Sequence, residues 1–198
     1  MKVAGESHRP VASLTVRTAI RLCTIDVMRI VELRQDHESG LQDFRREFDE
    51  AGEDHIPGFL PDSDWTFEEM VDGFAAWARG EQLPEGWVSG TTLFLEDGRR
   101  ILGVVNLRHR LAGTLRQFGG HVGYSVRPSE RGRGHATRML RHVMALASEM
   151  RIERLLVTCD PKNTASIRVV QKCGGALEDE IFFEPLARPV CRFWIPLP

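Results

Sequence analysis

Residues 123–136 read GYSVRPSERGRGHA and hold the densest chemistry in the chain. A strand ending near Val126 meets Pro128, then Gly132 and Gly134 two positions apart, then a long helix. The first-turn amides of a helix have no carbonyl partners. Together with the helix dipole they attract an anion such as a pyrophosphate. Gly132 and Gly134 let backbone approach that ligand with no Cβ between them. Arg131, Arg133 and, one turn on, Arg138 add positive charge, and the Ala136 methyl is small enough not to block the approach. The stretch is not a Walker P-loop, because GxxxxGK[ST] is absent. It is not the dinucleotide fingerprint either. Thr137 stands where GxGxxG needs its third glycine, and no acidic residue follows at the required distance.

The elements that must hold this stretch follow from periodicity. Residues 28–33 (MRIVEL) have strand character. Asp36 can cap a helix whose face is Leu41, Phe44 and Phe48, ending near Gly52. Thr66 and Glu69 form a capping box ahead of a second face, Phe67, Met70, Val71, Phe74 and Trp77, stopped by Gly80. Residues 91–95 and 101–107 are strands joined through the hairpin signal Asp97-Gly98. Residues 121–126 form another strand. Ala136, Met139, Leu140, Val143, Met144 and Ala147 then describe one helical face. Residues 155–157 are a continuous apolar strand. Asn163 caps a helix carrying Ile167, Val170 and Cys173, closed by Gly174-Gly175. Strands 181–183 and 190–195 flank a proline-containing turn. This order predicts an α/β chain with a mixed sheet.

Composition narrows the function classes. The 198 residues are 42% apolar and suit one domain, which the pattern places at 28–198. Residues 7–23 are Ser/Thr/Arg-rich, and 1–27 read as an N-terminal extension, a disordered or loosely docked tail, with a weak amphipathic helix or targeting peptide as the other reading. A formal net charge of -2 and no basic run argue against nucleic acid. No apolar run is long enough for a membrane helix. The four cysteines, Cys23, Cys159, Cys173 and Cys191, show no CxxC or CxxH spacing, so no metal site is expected. Their fewness fits a reduced, cytoplasmic protein.

Arg131-x-x-Gly134-x-Ala136, after a strand ending Val126-x-Pro128, resembles the acetyl-CoA signature (Q/R)xxGx(G/A) of the GCN5-related N-acetyltransferases. Downstream, Asn163, Ser166, Lys172 and Gly174 resemble that family's N-x-x-(A/S)-x5-K-x-G ending. Residues 107–111 and 119–124 resemble a subgroup of predicted acetyltransferases within it. The resemblance covers 28–197 and is sharpest over 126–175. It implies the acyl-CoA N-acyltransferase fold, a mostly antiparallel sheet with one splayed parallel strand pair and flanking helices. It also implies acetyl-CoA as co-substrate, an amine acceptor of small-molecule or peptide kind, and leaves a homodimer open.

By family position, backbone groups of Tyr124, Ser125 and Val126 would hold the pantetheine arm and thioester. The stretch Arg131, Gly132, Arg133, Gly134, His135, Ala136 and Thr137 would take the pyrophosphate, and Asn163 would bond the arm. The amine must attack as the free base. At pH 7 deprotonation costs about 4.6 kcal/mol for a lysine and about 1.4 for an α-amine. His121 is the first candidate for a general base, with His109 and, behind them, Glu96. A structural role for His121, anchoring a β-bulge or pairing with Arg108, competes. The family's helix tyrosine, which protonates the departing thiolate, is matched here by Val170. Tyr124, the one tyrosine, a water, or no dedicated acid does this work instead. A coenzyme A-binding regulatory module with weak or no transfer activity is the alternative reading.

Overall fold

The computed structural model describes residues 28–59, 65–98 and 100–198. The N-terminal extension therefore lies outside the described residues. Strand β1 (Arg29–Val31) pairs antiparallel with β2 (Gly90–Asp97), β2 with β3 (Arg100–Arg108), and β3 with β4 (Val122–Val126). A second antiparallel sheet has the order β5 (Arg154–Cys159), β7 (Arg188–Pro196), β6 (Ala176–Phe183). The expected mixed α/β architecture is present, with its strands divided between these two sheets.

Helices α1 (Glu38–Glu50) and α2 (Phe67–Arg79) cover one face of the first sheet. Leu41, Phe44, Phe48, Phe74 and Trp77 meet Phe94, Ile101 and Val104 there. The capping box at α2 is formed as expected: Thr66 Oγ1 accepts from the Glu69 amide, and the Glu69 carboxylate accepts from the Thr66 amide at 2.7 Å. Asp36, by contrast, caps no α-helix. It lies in a three-ten turn (Gln35–His37) that precedes α1.

Helix α3 (His135–Glu149) lies over the junction of the two sheets. Its Met139, Leu140, Val143 and Ala147 pack with Val105 and Leu107 of the first sheet and with Leu155, Val157, Phe193 and Ile195 of the second. Full burial of each large apolar side chain is worth about 1.5–3 kcal/mol, so this one stripe fixes where the helix begins. Helix α4 (Thr164–Lys172) follows β5. Strand β6 starts five residues before the expected 181. Its first half, LEDE, is an exposed edge with a bulge between Leu177 and Asp179, so no apolar alternation marks it.

Candidate functional site

The β3–β4 ladder sets which backbone groups of β4 are free. Gly103 opposes Val126 and Val105 opposes Tyr124, and the Arg127 amide donates to the Leu102 carbonyl. Residues facing each other alternate between bonded and non-bonded pairs in an antiparallel ladder. Gly123 and Ser125 therefore spend their backbone groups on β3. Those of Val122, Tyr124 and Val126 point away from it, and there the Val126 carbonyl accepts from Arg131 Nε at 3.2 Å. On that side β4 and β5 edge different sheets and share no ladder.

They touch at one end. The His121 amide donates to the Leu156 carbonyl at 2.7 Å, and the Leu156 amide donates to His121 Nδ1 at 2.9 Å. The imidazole thus stands in for a backbone carbonyl. Burial, then the neighbouring charges of Arg108 and Arg116, pushes the His121 pKa down to about 4. The ring is neutral, Nδ1 is the acceptor, and the proton sits on Nε2.

Further along, the Tyr124 and Ser166 hydroxyls lie 2.8 Å apart, linking β4 to α4. Burial raises the Tyr124 phenol to about 12. Val170, in the place of the family's tyrosine, is a fully buried core residue. Cys159 is also pushed up, to about 11, chiefly by burial, and burial raises Cys173 and Cys191 as well. None of the three is a ready thiolate nucleophile.

A loop from α1 crosses the face of β4. Ser125 Oγ donates to the Pro57 carbonyl at 2.8 Å. Gly58 and Gly123 touch backbone to backbone, and a Cβ on Gly58 would lie 2.5 Å from the Gly123 oxygen. Only glycine allows that approach.

Beyond Val126 the chain makes a three-ten turn (Pro128–Glu130) and reaches α3 through Gly132 and Gly134, at φ +78° and +84°. Both glycines have open space around them. The amides of Gly132, Arg133, Gly134, His135, Ala136 and Thr137 meet no protein acceptor among the described residues; the first bond of the helix is Arg138 N–H to the Gly134 carbonyl. The arginines are less free than their spacing suggests. Arg131 grips Glu53 with both terminal nitrogens, at 2.6 and 2.8 Å, and lies over Phe48. Arg133 pairs with Glu130 at 3.1 Å, where Arg100 also binds. Arg138 donates to the Met28 carbonyl. These side chains tie the loop in place, and its attraction for an anion rests on amides.

Asn163 caps α4, its Oδ1 accepting from the Ser166 amide at 3.0 Å. Its Nδ2 makes no hydrogen bond among the described residues. His109 Nε2 bonds the Thr91 hydroxyl at 2.8 Å. Glu96 does not stand behind the histidines. It sits five residues along β2 from Thr91, about 17 Å away at strand rise, buried against His37, Arg29 and Arg34. Glu53, Glu130 and Ser166 complete the site. Of these only Ser166 had a signal in the sequence, as part of the Asn163 motif.

Residues 20–176 match the Acetyltransferase (GNAT) domain family. No curated protein sequence matches the chain. Among solved structures, the ribosomal L7/L12 α-N-protein acetyltransferase RimL in complex with coenzyme A superposes with a TM-score of 0.62 at 15% identity, over 86% of this chain and 94% of that one. Mycobacterium smegmatis RimJ with CoA-disulfide gives 0.60 at 18%, over 86% and 82%. The GNAT domain of S. lividans PAT gives 0.58 at 22%, over 86% and 90%. With these matches, a helix start whose amides are unclaimed and a strand with a free backbone edge fall into place: the chain belongs to the GNAT acetyltransferase family, enzymes that use acetyl-CoA as co-substrate.

Proposed function

We propose that this protein moves the acetyl group of acetyl-CoA directly onto a primary amine in a ternary complex. The run of six amides without acceptors, 132–137, beside the unpaired edge of β4 carries this reading. The pyrophosphate binds those amides and the helix dipole. The pantetheine arm lies along the outward backbone groups of Tyr124 and the outward amide of Val126, where β4 and β5 diverge as a parallel pair from the His121–Leu156 contact. Asn163 Nδ2 is free to donate to the arm. An outward amide of β4 polarises the thioester carbonyl and stabilises the oxyanion that forms when the amine attacks.

Collapse of that intermediate breaks the carbon–sulfur bond and expels the thiolate, and the proton shed by the attacking nitrogen ends on that sulfur, giving the amide and coenzyme A thiol. A phenol near 12 is a weaker acid than a thiol near 8.5, so complete proton transfer from Tyr124 is uphill by about 3.5 pKa units. Tyr124 instead donates a hydrogen bond to the departing sulfur, and Ser166 orients the hydroxyl. Tyr124→Phe is expected to lower kcat about tenfold, the worth of one hydrogen bond of about 1.4 kcal/mol. KM for acetyl-CoA should stay within about twofold. Unchanged kcat in steady-state assays would remove Tyr124 from the mechanism.

No helix among the described residues is long and apolar enough to cross a membrane. The acceptor is a small molecule or a peptide amine. An amine panel with acetyl-CoA, followed by thiol release and product mass, tests the whole reading. Coenzyme A binding without transfer to any amine would favour a regulatory module instead.

A further inference from the structure

Trp194 and Leu156 alternate with Phe193, Ile195, Leu155 and Val157, which face α3, so they occupy the opposite face of the second sheet. On that side Leu111, Arg116, His121, Glu153, Arg154 and Trp194 line an open cleft of about 250 Å³. Its donors are unspent. The guanidiniums of Arg116 and Arg154 form no ion pair or hydrogen bond among the described residues. The Arg154 guanidinium carbon sits over the Trp194 ring, 4.0 Å from its centre, a contact that supplies no counter-charge. The Trp194 Nε1–H is buried without a partner among the described residues. His121 is 6% exposed, and with Nδ1 committed to the Leu156 amide its Nε2–H has no acceptor among the described residues. A buried or half-buried donor left unpaired is costly, and the usual remedy is a ligand or water. Glu153 is the one carboxylate on the rim and pairs with neither arginine. It restricts the cleft to a compact head group that reaches the arginines without meeting it.

We propose that this cleft binds a small oxyanion, a carboxylate or a phosphate, between the guanidiniums of Arg116 and Arg154 with the Nε2–H of His121 as a third donor. The site lies at the end where β4 and β5 touch, away from the amides of 132–137, and its occupancy does not depend on the transfer reaction.

The test is a residue-resolved NMR titration of the full chain with inorganic phosphate and, separately, with succinate, ionic strength held constant with chloride. The Trp194 indole N–H and the His121 ring are the reporters. Binding of either anion at the start of α3 moves the Gly132 and Gly134 amides, which are separate signals. A saturable shift of Trp194 and His121 that weakens at least tenfold in the Arg116→Ala, Arg154→Ala double variant supports the site. Response to phosphate alone or to succinate alone identifies the head group. Absence of a saturable shift with both anions, or equal affinity in the double variant, overturns it. Both arginines are exposed, so the double variant keeps its fold.

Discussion

Gly134→Glu is expected to abolish acetyl-CoA binding while leaving the protein folded. Gly134 is the N-cap of α3, at φ +84°, with open space on the side where a Cβ would project. A glutamate there places a carboxylate among the amides of 132–137. It repels the pyrophosphate, fills the space the ligand needs and competes for the same N–H groups. The fold bears two small opposing effects. The left-handed backbone costs a non-glycine residue about 1–2 kcal/mol. A negative charge at a helix N-terminus returns about 0.3–1 kcal/mol. The affinity loss should exceed about 100-fold, or roughly 2.8 kcal/mol. Gly134→Ala carries the strain without the charge and serves as the control. It should lose similar stability in urea melts yet keep most of its affinity. Calorimetric titration of the three proteins with acetyl-CoA decides the matter. A Gly134→Glu protein that binds within threefold of wild type would place the cofactor elsewhere.

The proposed cofactor end is legible in the sequence because its parts are local. Strand, Pro128, paired glycines and the α3 stripe lie within 30 consecutive residues, and each has a signature that short-range sterics enforce. What surrounds it was not readable. Arg131 and Glu53 are separated by 78 positions and the His121 ring and Leu156 by 35, with no motif to join them. The sequence therefore suggested free arginines around the pyrophosphate, where the fold instead spends Arg131, Arg133 and Arg138 on protein partners. It also suggests Glu96 behind His121 and His109. The β2–β3 register shows why that fails: Glu96 lies by the hairpin turn opposite Ile101, while His109 follows the far end of β3. The exposed first half of β6 carries no sequence signal for a third reason. An edge strand kept in register by its partner, with Asp179 paired to Arg192, needs no apolar alternation of its own.

His121 is the residue on which the sequence left two readings, and its surroundings separate them by experiment. A general base needs a free lone pair near the amine. The lone pair of Nδ1 is already occupied by the Leu156 amide, and Nε2 carries the proton. As a clamp, the ring should support stability in its neutral form only. Its folded pKa, about 4, lies below the ordinary value of 6.5. On acidification the unfolded chain takes up the proton first. The contribution is therefore fully present above about pH 6.5 and is lost progressively as pH falls toward about 4. His121→Ala leaves the buried Leu156 amide without an acceptor and should cost about 1–3 kcal/mol at pH 7.5. His121→Asn offers Oδ1 in nearly the place of Nδ1. It should recover most of that stability, and it should lack the share of the slope between pH 6.5 and 4 that wild type shows in urea melts. Transfer activity discriminates further. If His121 only holds the strands together, the asparagine variant keeps kcat within about threefold at saturating amine. A base would be missed by 10² to 10⁴, about 2.7–5.5 kcal/mol, since an amide side chain takes up no proton near neutrality. A His121→Asn protein as stable as wild type at pH 7.5 but slower by two orders of magnitude would return this residue to proton transfer and leave the contact between β4 and β5 as scaffolding.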